Sequence, residues 1–323
     1  FHTHWIPSGL PDLAARTADP RWPAFDPARG ALVINGEAVR SVPPSGWEVQ
    51  ARLDAMDAAG HARHVLSPVP PLLCDWAGPA LGAEWANAVN DSLAGTVAAH
   101  PDRFSGLGTI PVTHPDESVA VLERATANGL AGVEVATTAM DLEFDAPRLR
   151  AIFTAAADLG LVVFVHPLIL GATSRWTSRI TGMPANFGLG MTTDTAIAAS
   201  RLLLRGVLAE ATGLRVCLAH GGGTFVWALA RMARMWRDEE QGMPLAKALE
   251  PIYVDSVVYQ PANLRYLVDT IGADHVAFGT DFPLPAQSEL AGTIVAGLDK
   301  AAATWVRDGT AATLLGLDVA ELG

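Results

Sequence analysis

The sequence contains few cysteines and few lysines. Cys74 and Cys217 are the only cysteines among 323 residues, and Lys247 and Lys300 are the only lysines, so arginine supplies most of the positive charge. Two cysteines are too few for a disulfide-stapled scaffold or for a zinc site built from thiolates. The cysteines therefore indicate neither a disulfide framework nor a metal centre.

Long apolar runs and an excess of positive charge are also absent. No stretch reaches the roughly 18 apolar residues of a membrane-spanning helix, and the first residues, FHTHWIPSG, lack the features of a secretion signal. The chain has 22 Lys and Arg against 34 Asp and Glu, a formal net charge of −12. Nucleic acids and anionic membranes require the opposite sign. We expect a cytoplasmic protein that binds neither nucleic acid nor membrane.

The sequence alternates between short β-branched runs and amphipathic helical patterns. Runs such as LVVFV at 161–165 are typical of parallel strands that are buried on both faces. The predicted strands are 1–4, Arg63–Leu66, Leu107–Ile110, Gly132–Ala136, Leu161–Val165, Leu214–Ala219, Ile252–Val254 and His275–Gly279. Eight such repeats predict a single α/β domain over residues 1–323, a (β/α)8 TIM barrel. A doubly wound sheet is disfavoured because no glycine-rich phosphate turn follows a strand.

Two long segments interrupt the predicted repeats. Residues 14–45, rich in proline and glycine, are predicted to form an insertion after the first strand, and residues 171–190 a long loop that covers the site as a lid. Loops of this length are more often functional than not. Trp176 in the lid is a candidate substrate contact. The helical pattern further predicts that Asp145 caps a helix and that residues 192–210 form another.

Polar residues follow several predicted strands where each strand ends. His2 and His4 are two apart, so one strand would point both rings the same way, and His166, His220 and Asp281 each follow an apolar run. In a barrel these strand ends meet at one rim. His2, His4, His166 and Asp281 are therefore predicted to bind a metal ion.

This ligand set favours zinc, with manganese and iron as alternatives. One metal ion per subunit is expected, because neither lysine lies at a strand end where a carbamate could bridge two metals. His220 would remain free as a general acid or base, activating a metal-bound water. Asp281 could shuttle a proton in addition to binding the metal.

Four motifs resemble the amidohydrolase superfamily. They are FHTHWIP at 1–7, VHP at 165–167, AHGGGTF at 219–225 and GTDFPLP at 279–285. The order and the retained triple glycine resemble the decarboxylase branch typified by 2-amino-3-carboxymuconate-6-semialdehyde decarboxylase. The resemblance implies zinc on the four predicted ligands, with His220 activating the metal water.

The same resemblance implies two arginines that bind a substrate carboxylate. Arg40 stands twelve residues before Arg52, and Arg231 stands eleven residues after His220, which are the family's spacings. Arginine suits this role because it can hold a carboxylate through two parallel N–H bonds. In the family the second arginine reaches the neighbouring subunit's site, so a homodimer is implied.

We therefore predict a metal-dependent, non-oxidative decarboxylase of a small unsaturated or aromatic carboxylic acid. A hydrolase or hydratase acting on a lactone, an amide, a C–C bond or a double bond could use the same ligands. A metal-binding protein without catalytic activity is a third alternative. The ligand set does not distinguish the first two, because the difference lies in what the site places over the metal.

Overall fold

The computed structural model describes residues 1–168, 180–204, 206–284 and 293–317. The strands in these ranges are β1 (Thr3–Trp5), β2 (Ala24–Asp26), β3 (Ala31–Ile34), β4 (Glu37–Ser41), β5 (His64–Pro68), β6 (Phe104–Gly108), β7 (Gly132–Val135), β8 (Val162–Val165), β9 (Arg215–Leu218), β10 (Ile252–Asp255) and β11 (Val276–Ala277). The α-helices are α1 (Leu13–Thr17), α2 (Val49–Ala59), α3 (Pro79–Ala99), α4 (Pro115–Ala127), α5 (Arg150–Asp158), α6 (Met183–Ala185), α7 (Met191–Leu204), α8 (Val207–Glu210), α9 (Phe225–Ala233), α10 (Asp238–Gln241), α11 (Leu245–Leu249), α12 (Pro261–Ile271), α13 (Lys300–Thr304) and α14 (Thr310–Leu315).

Eight strands form the predicted parallel barrel. Their order is β1-β5-β6-β7-β8-β9-β10-β11, so strands adjacent in the barrel follow one another along the chain. The last strand returns to the first through a parallel bridge between Thr3 and Phe282, and the amide of His4 donates to the Phe282 carbonyl at 2.6 Å. The TIM barrel prediction is confirmed, and each predicted strand overlaps an observed one.

The core follows from the two-residue period of the strands. Side chains pointing inward, such as Val65, Leu107 and Phe164, fill the lower part of the barrel. Those pointing outward pack against the helices, as Val133 and Val163 do in the largest apolar cluster. Because this packing fixes the strands, polar side chains at their carboxyl ends are held on a rigid frame.

The insertion after β1 has its own sheet. Strands β2, β3 and β4 form an antiparallel sheet inside residues 14–45. Asn35 and Gly36, at the β3–β4 turn, both have positive φ angles, of 53° and 77°, as a type I′ turn requires. The insertion ends against the barrel, since the amide of Ile6 donates to the Gly46 carbonyl at 2.9 Å.

Arg52 of α2 fixes the seam where the barrel closes. It is fully buried and donates to Oγ1 of Thr3 at 2.8 Å, while its guanidinium lies 4.6 Å from the centre of the Phe282 ring. Burial lowers the pKa of Arg52 to about 9. The aromatic ring partly replaces the water that the charge has lost. Arg52 thereby joins α2 to the segment that carries Asp281.

Three details differ from the predictions. The predicted lid at 171–190 is not all loop, because α6 and a π-helical turn, Asn186–Gly190, lead directly into α7. Residues 171–179 of the predicted lid, including Trp176, lie outside the described residues. The helix predicted over 192–210 ends at Leu204, and α8 starts after Gly206, whose φ is +74°. The Asp145 cap was wrong, because α5 begins only at Arg150.

Candidate metal centre

Two histidines lie on the inner side of β1. His2 precedes the strand, His4 lies within it, and both side chains are buried. Their Nε2 atoms are 3.1 Å apart. The two-residue period of an extended chain explains why both rings point into the barrel.

Two more side chains reach the same point from other strands. His166, which follows β8, has its ring centre 5.0 Å from those of both His2 and His4. Asp281 follows β11, and its Oδ1 lies 3.1 Å from Nε2 of His4. One ligand atom from each of His2, His4, His166 and Asp281 lies within 4.8 Å of the others. The structure therefore brings together the four residues that the sequence predicted as ligands.

The donor atoms of this cluster suit a divalent cation. Both ring nitrogens of His166 are buried, and neither has a hydrogen-bond partner among the residues that the structure describes. Burial, together with His4, His220 and His2, lowers the pKa of His166 well below 6.5, so its ring is neutral. Three imidazoles and one carboxylate form an N/O set of the kind that divalent transition metals accept. A metal ion here would bind to nitrogen and oxygen atoms, such as those of His166 and Asp281, that no described group satisfies with a hydrogen bond.

Asp255, at the end of β10, holds His2 in place. Its Oδ2 lies 2.6 Å from Nδ1 of His2, which leaves Nε2 of that ring facing the other ligands. Burial would raise the pKa of Asp255, but His2 and the neighbouring groups outweigh it and lower the pKa to about 2. Burial likewise lowers the pKa of His2, and Asp255 more than compensates, so the net shift is upward. A carboxylate behind a ligating histidine fixes the ring and increases its basicity.

His220 lies beside the cluster in a tight turn. Its ring centre is 5.0 Å from that of His166 and 5.4 Å from that of His2. Burial lowers the pKa of His220, and its buried Nδ1 has no hydrogen-bond partner within the described ranges. A neutral imidazole in this position can accept a proton.

The glycines after His220 permit the turn. Gly221 and Gly223 have φ angles of +65° and +60°, and a Cβ on Gly223 would lie 2.0 Å from the Thr192 carbonyl. Only glycine fits such a backbone at this distance. The triple glycine therefore packs the His220 turn directly against α7.

A cavity of about 540 Å³ opens beside His220. Aromatic and apolar side chains dominate its wall, and Thr192, Thr224 and Asn263 add polar atoms. The aromatic residues are Phe187, Trp227, Tyr259 and Tyr266. A cavity of this size and character suits a small, flat organic molecule.

Comparison with known proteins agrees with this geometry. The amidohydrolase family model matches residues 1–317. The chain belongs to the amidohydrolase family. A 2-amino-3-carboxymuconate-6-semialdehyde decarboxylase from Dictyostelium discoideum is 28% identical, over 98% of this chain and 91% of its own length. The resemblance seen in the four motifs is confirmed.

Solved structures share the fold of this amidohydrolase. A 5-carboxyvanillate decarboxylase from Sphingomonas paucimobilis superposes with a TM-score of 0.78 at 24% identity, covering 87% of this chain and 88% of its own. A dihydroxybenzoic acid decarboxylase from a Polaromonas species, solved with bound manganese and an inhibitor, has a TM-score of 0.72 at 23% identity, covering 84% and 87%. These likenesses establish the barrel architecture.

The two predicted substrate arginines of this amidohydrolase lie in different places. Arg40 is half-buried in β4, and its buried Nε has no hydrogen-bond partner in the described part of the chain. Arg231 is exposed near the end of α9, one turn after Trp227. Neither arginine lines the cavity beside His220. Their substrate role stays a prediction.

Two buried carboxylates near the ligands were missed by the sequence reasoning. Asp255 ends the apolar run IYV, which is the same signal that identified His166 and Asp281. Glu134 is a charged residue in the middle of the buried strand β7, and its Oε2 is 3.7 Å from Nδ1 of His4. Burial raises the pKa of Glu134 against the opposing effect of His4.

No helix in the described part of the chain combines the length and apolar character needed to cross a membrane.

Proposed function

We propose that this amidohydrolase is a divalent-metal-dependent, non-oxidative decarboxylase of a small aromatic or unsaturated carboxylic acid. The observation that carries the proposal is the convergence of His2, His4, His166 and Asp281 within 4.8 Å, beside a neutral His220. Its relative from Dictyostelium and both solved neighbours carry decarboxylase names.

The four converging residues would hold the ion. A divalent cation held there would supply Lewis acidity toward an oxygen atom of the substrate. We propose zinc for this chain; manganese is the alternative that the Polaromonas enzyme supports. Metal analysis of the purified protein, followed by reloading of the chelated protein with each ion, tests this assignment.

The residues of the chain must then stabilise an electron pair and deliver a proton to it. Decarboxylation breaks the bond between the ring or alkene carbon and the carboxylate, and the electron pair left on that carbon has to receive a proton. His220, whose lowered pKa leaves it neutral and whose Nδ1 has no hydrogen-bond partner among the described residues, can accept a proton from water or from an acidic group of the substrate and then donate it to this carbon. Asp281 can relay a proton in addition to binding the ion, because its carboxylate faces both His2 and His4.

Substrate orientation is assigned to the cavity and to the arginines. The aromatic walls would hold the flat part of the acid, and we propose that Arg40 and Arg231 bind its carboxylate groups. Trp176 is proposed as a further contact with the substrate.

Arg231 is exposed, as expected for a residue that contributes to the site of a second subunit, so we propose a homodimer. A cytoplasmic location is proposed from the sequence.

Product analysis tests the proposal directly. The metal-loaded protein is incubated with carboxymuconate semialdehydes, hydroxybenzoates and lactones, and products are identified by mass spectrometry with detection of carbon dioxide. Loss of one carbon dioxide per turnover is expected. Gain of one water would instead identify a hydrolase or hydratase, and absence of any turnover with the whole panel would contradict both activities for these substrate classes.

A further inference from the structure

Within the described part of the chain, Glu134 lies inside the barrel with fewer close partners than a buried carboxylate normally has. Its side chain has no exposed surface, and among the described residues neither carboxylate oxygen makes a hydrogen bond of normal geometry. Moving a carboxylate out of water is costly in free energy when no hydrogen-bond donor replaces the water. A buried carboxylate of this kind is therefore expected to lie near a positive charge or to have a function. The metal cluster is the adjacent feature that could supply one.

The surroundings of Glu134 point to His4. In the described part of the chain His4 is its one ion-pair partner, with Oε2 3.7 Å from Nδ1. The Ser67 hydroxyl is close enough to oppose, with His4, the rise in the pKa of Glu134, but it donates its hydrogen bond to the Thr3 carbonyl at 3.1 Å. No arginine or lysine in the described ranges forms a salt bridge with Glu134.

The orientation of the His4 ring explains what this contact can do. Its Nε2 faces Nε2 of His2 and Oδ1 of Asp281, both at 3.1 Å. Its Nδ1 faces the opposite way, towards the Pro68 carbonyl at 3.2 Å and the carboxylate of Glu134. When Nε2 binds a cation, Nδ1 must carry the proton and directs it at these two acceptors.

Both His2 and His4 therefore have a carboxylate behind them. Asp255 is in direct contact with His2 at 2.6 Å, and Glu134 is near His4 at 3.7 Å. We infer that Glu134 is a positioning and charge-balancing residue that raises the affinity of the centre for a divalent cation. The inference rests on the ligand set proposed above.

The physical reason is electrostatic. Charges separated by a few ångströms in a buried, weakly screened environment interact strongly, so a fixed negative charge behind His4 stabilises a cation in front of it. Carboxylates behind ligating histidines have this effect, and their loss typically lowers metal affinity about 10–100-fold.

The variant Glu134→Gln removes the charge and keeps the shape. Binding of Zn²⁺ and of Mn²⁺ to metal-free protein is measured by calorimetry or by chelator competition, and thermal unfolding is followed with and without each ion. We expect affinity to fall about 10–100-fold. The metal-free variant should be at least as heat-stable as the wild type, because it no longer buries an unpaired charge, while the stabilisation by added metal should shrink.

Glu143→Gln is a matched control. Glu143 is less buried than Glu134, but burial raises its pKa too, and the charged groups that act on it are Arg201, Asp194 and Asp145 rather than the proposed ligands. Its affinity for both ions should equal that of the wild type. An equal loss of metal affinity in both variants would show that the effect comes from the overall negative charge of the protein, and it would overturn the inference.

The outcomes separate this inference from the proposed function. Failure of the wild type to bind either ion would contradict the ligand set itself. Tight wild-type binding that Glu134→Gln leaves unchanged would overturn the role of Glu134 alone. Two ions bound by the wild type and one by the variant would also overturn it, because Glu134 would then be a direct ligand.

A second variant is available if Glu134→Gln does not fold. Glu134→Asp moves the carboxylate away from His4 by one methylene, and an unaltered metal affinity in that variant would refute the inference.

Discussion

Nδ1 of His2 and Oδ2 of Asp255 lie 2.6 Å apart, although the two residues are 253 positions apart in the chain. The same carboxylate accepts hydrogen bonds from the amides of His220 at 2.9 Å and Gly221 at 2.8 Å. Asp255 thus fixes one proposed ligand and the turn of the proposed proton carrier together. One side chain thus couples the proposed metal centre to the proposed acid–base group.

Asp255→Asn should therefore weaken metal binding and destabilise the protein at the same time. The amide cannot supply the negative charge behind His2, so we expect metal affinity to drop about 10–100-fold. Hydrogen bonds to a charged group are each worth about 1.5–3 kcal/mol, so the free energy of unfolding should fall by an amount of that order. Metal titration and chemical denaturation measure the two effects.

Asp54→Asn is the control for Asp255→Asn. Asp54 is an exposed residue of α2 whose carboxylate accepts from Gln50, and its loss should change neither quantity measurably. Unchanged metal affinity in Asp255→Asn would show that His2 does not depend on this carboxylate.

His220→Ala should retain the ion and lose turnover. The ring is not one of the four residues whose ligand atoms converge, and general acid–base groups typically contribute about 10²–10⁴-fold to a rate. We expect a loss of that size in kcat, with metal content equal to the wild type by elemental analysis. His100→Ala, remote in sequence from the ligands, serves as control. A variant that purifies without metal would make His220 a ligand.

The sequence predicts the barrel and its rim because buried parallel strands leave a simple pattern. Each strand is a short apolar run, and a polar residue directly after the run lies at the same rim as the others. This pattern located His166 and Asp281 correctly beside His4. It also applies to Asp255, which ends β10, so that residue could have been predicted by the same argument.

Other features depend on contacts that no local pattern contains. Asp145 has the right residue type for a helix cap, yet α5 starts at Arg150 and Asp145 pairs instead with Arg201 at 3.2 Å. The small sheet of the insertion did leave a local signal, the Asn35-Gly36 turn. The only sequence signal at Glu134 is a charged residue within an apolar strand. Its neighbour His4 is 130 residues away in sequence, so no local pattern predicts their contact.

Asp75 should make stability depend on pH. Burial, only partly opposed by a hydrogen bond from the Val112 amide, raises its pKa from 3.8 to about 7. The folded protein thus keeps a proton that the unfolded chain releases near pH 4. The stabilising effect is complete below the unfolded pKa and is lost as pH rises towards 7, a change of up to about 4 kcal/mol.

Asp75→Asn removes this titration and can still accept from Val112. Above pH 7 the variant should be more stable than the wild type, and the difference should disappear as pH falls towards 4. Denaturant unfolding of both proteins across this window measures it, because groups that titrate in both cancel in the difference. A constant difference at every pH would contradict a raised pKa for Asp75.

Arg231 allows a test of the proposed dimer. It is exposed on α9, one turn beyond Trp227 of the cavity wall, and we propose that it acts in the partner's site. Arg231→Ala and His220→Ala should each be nearly inactive alone. A dimer containing one subunit of each kind keeps one site with His220 from one chain and Arg231 from the other, so mixing and reassembly should restore part of the activity. Two copies of the same variant cannot complement, which provides the control. If the mixture stays as inactive as its components while mixed dimers are demonstrably present, Arg231 acts within its own chain or has no role in turnover.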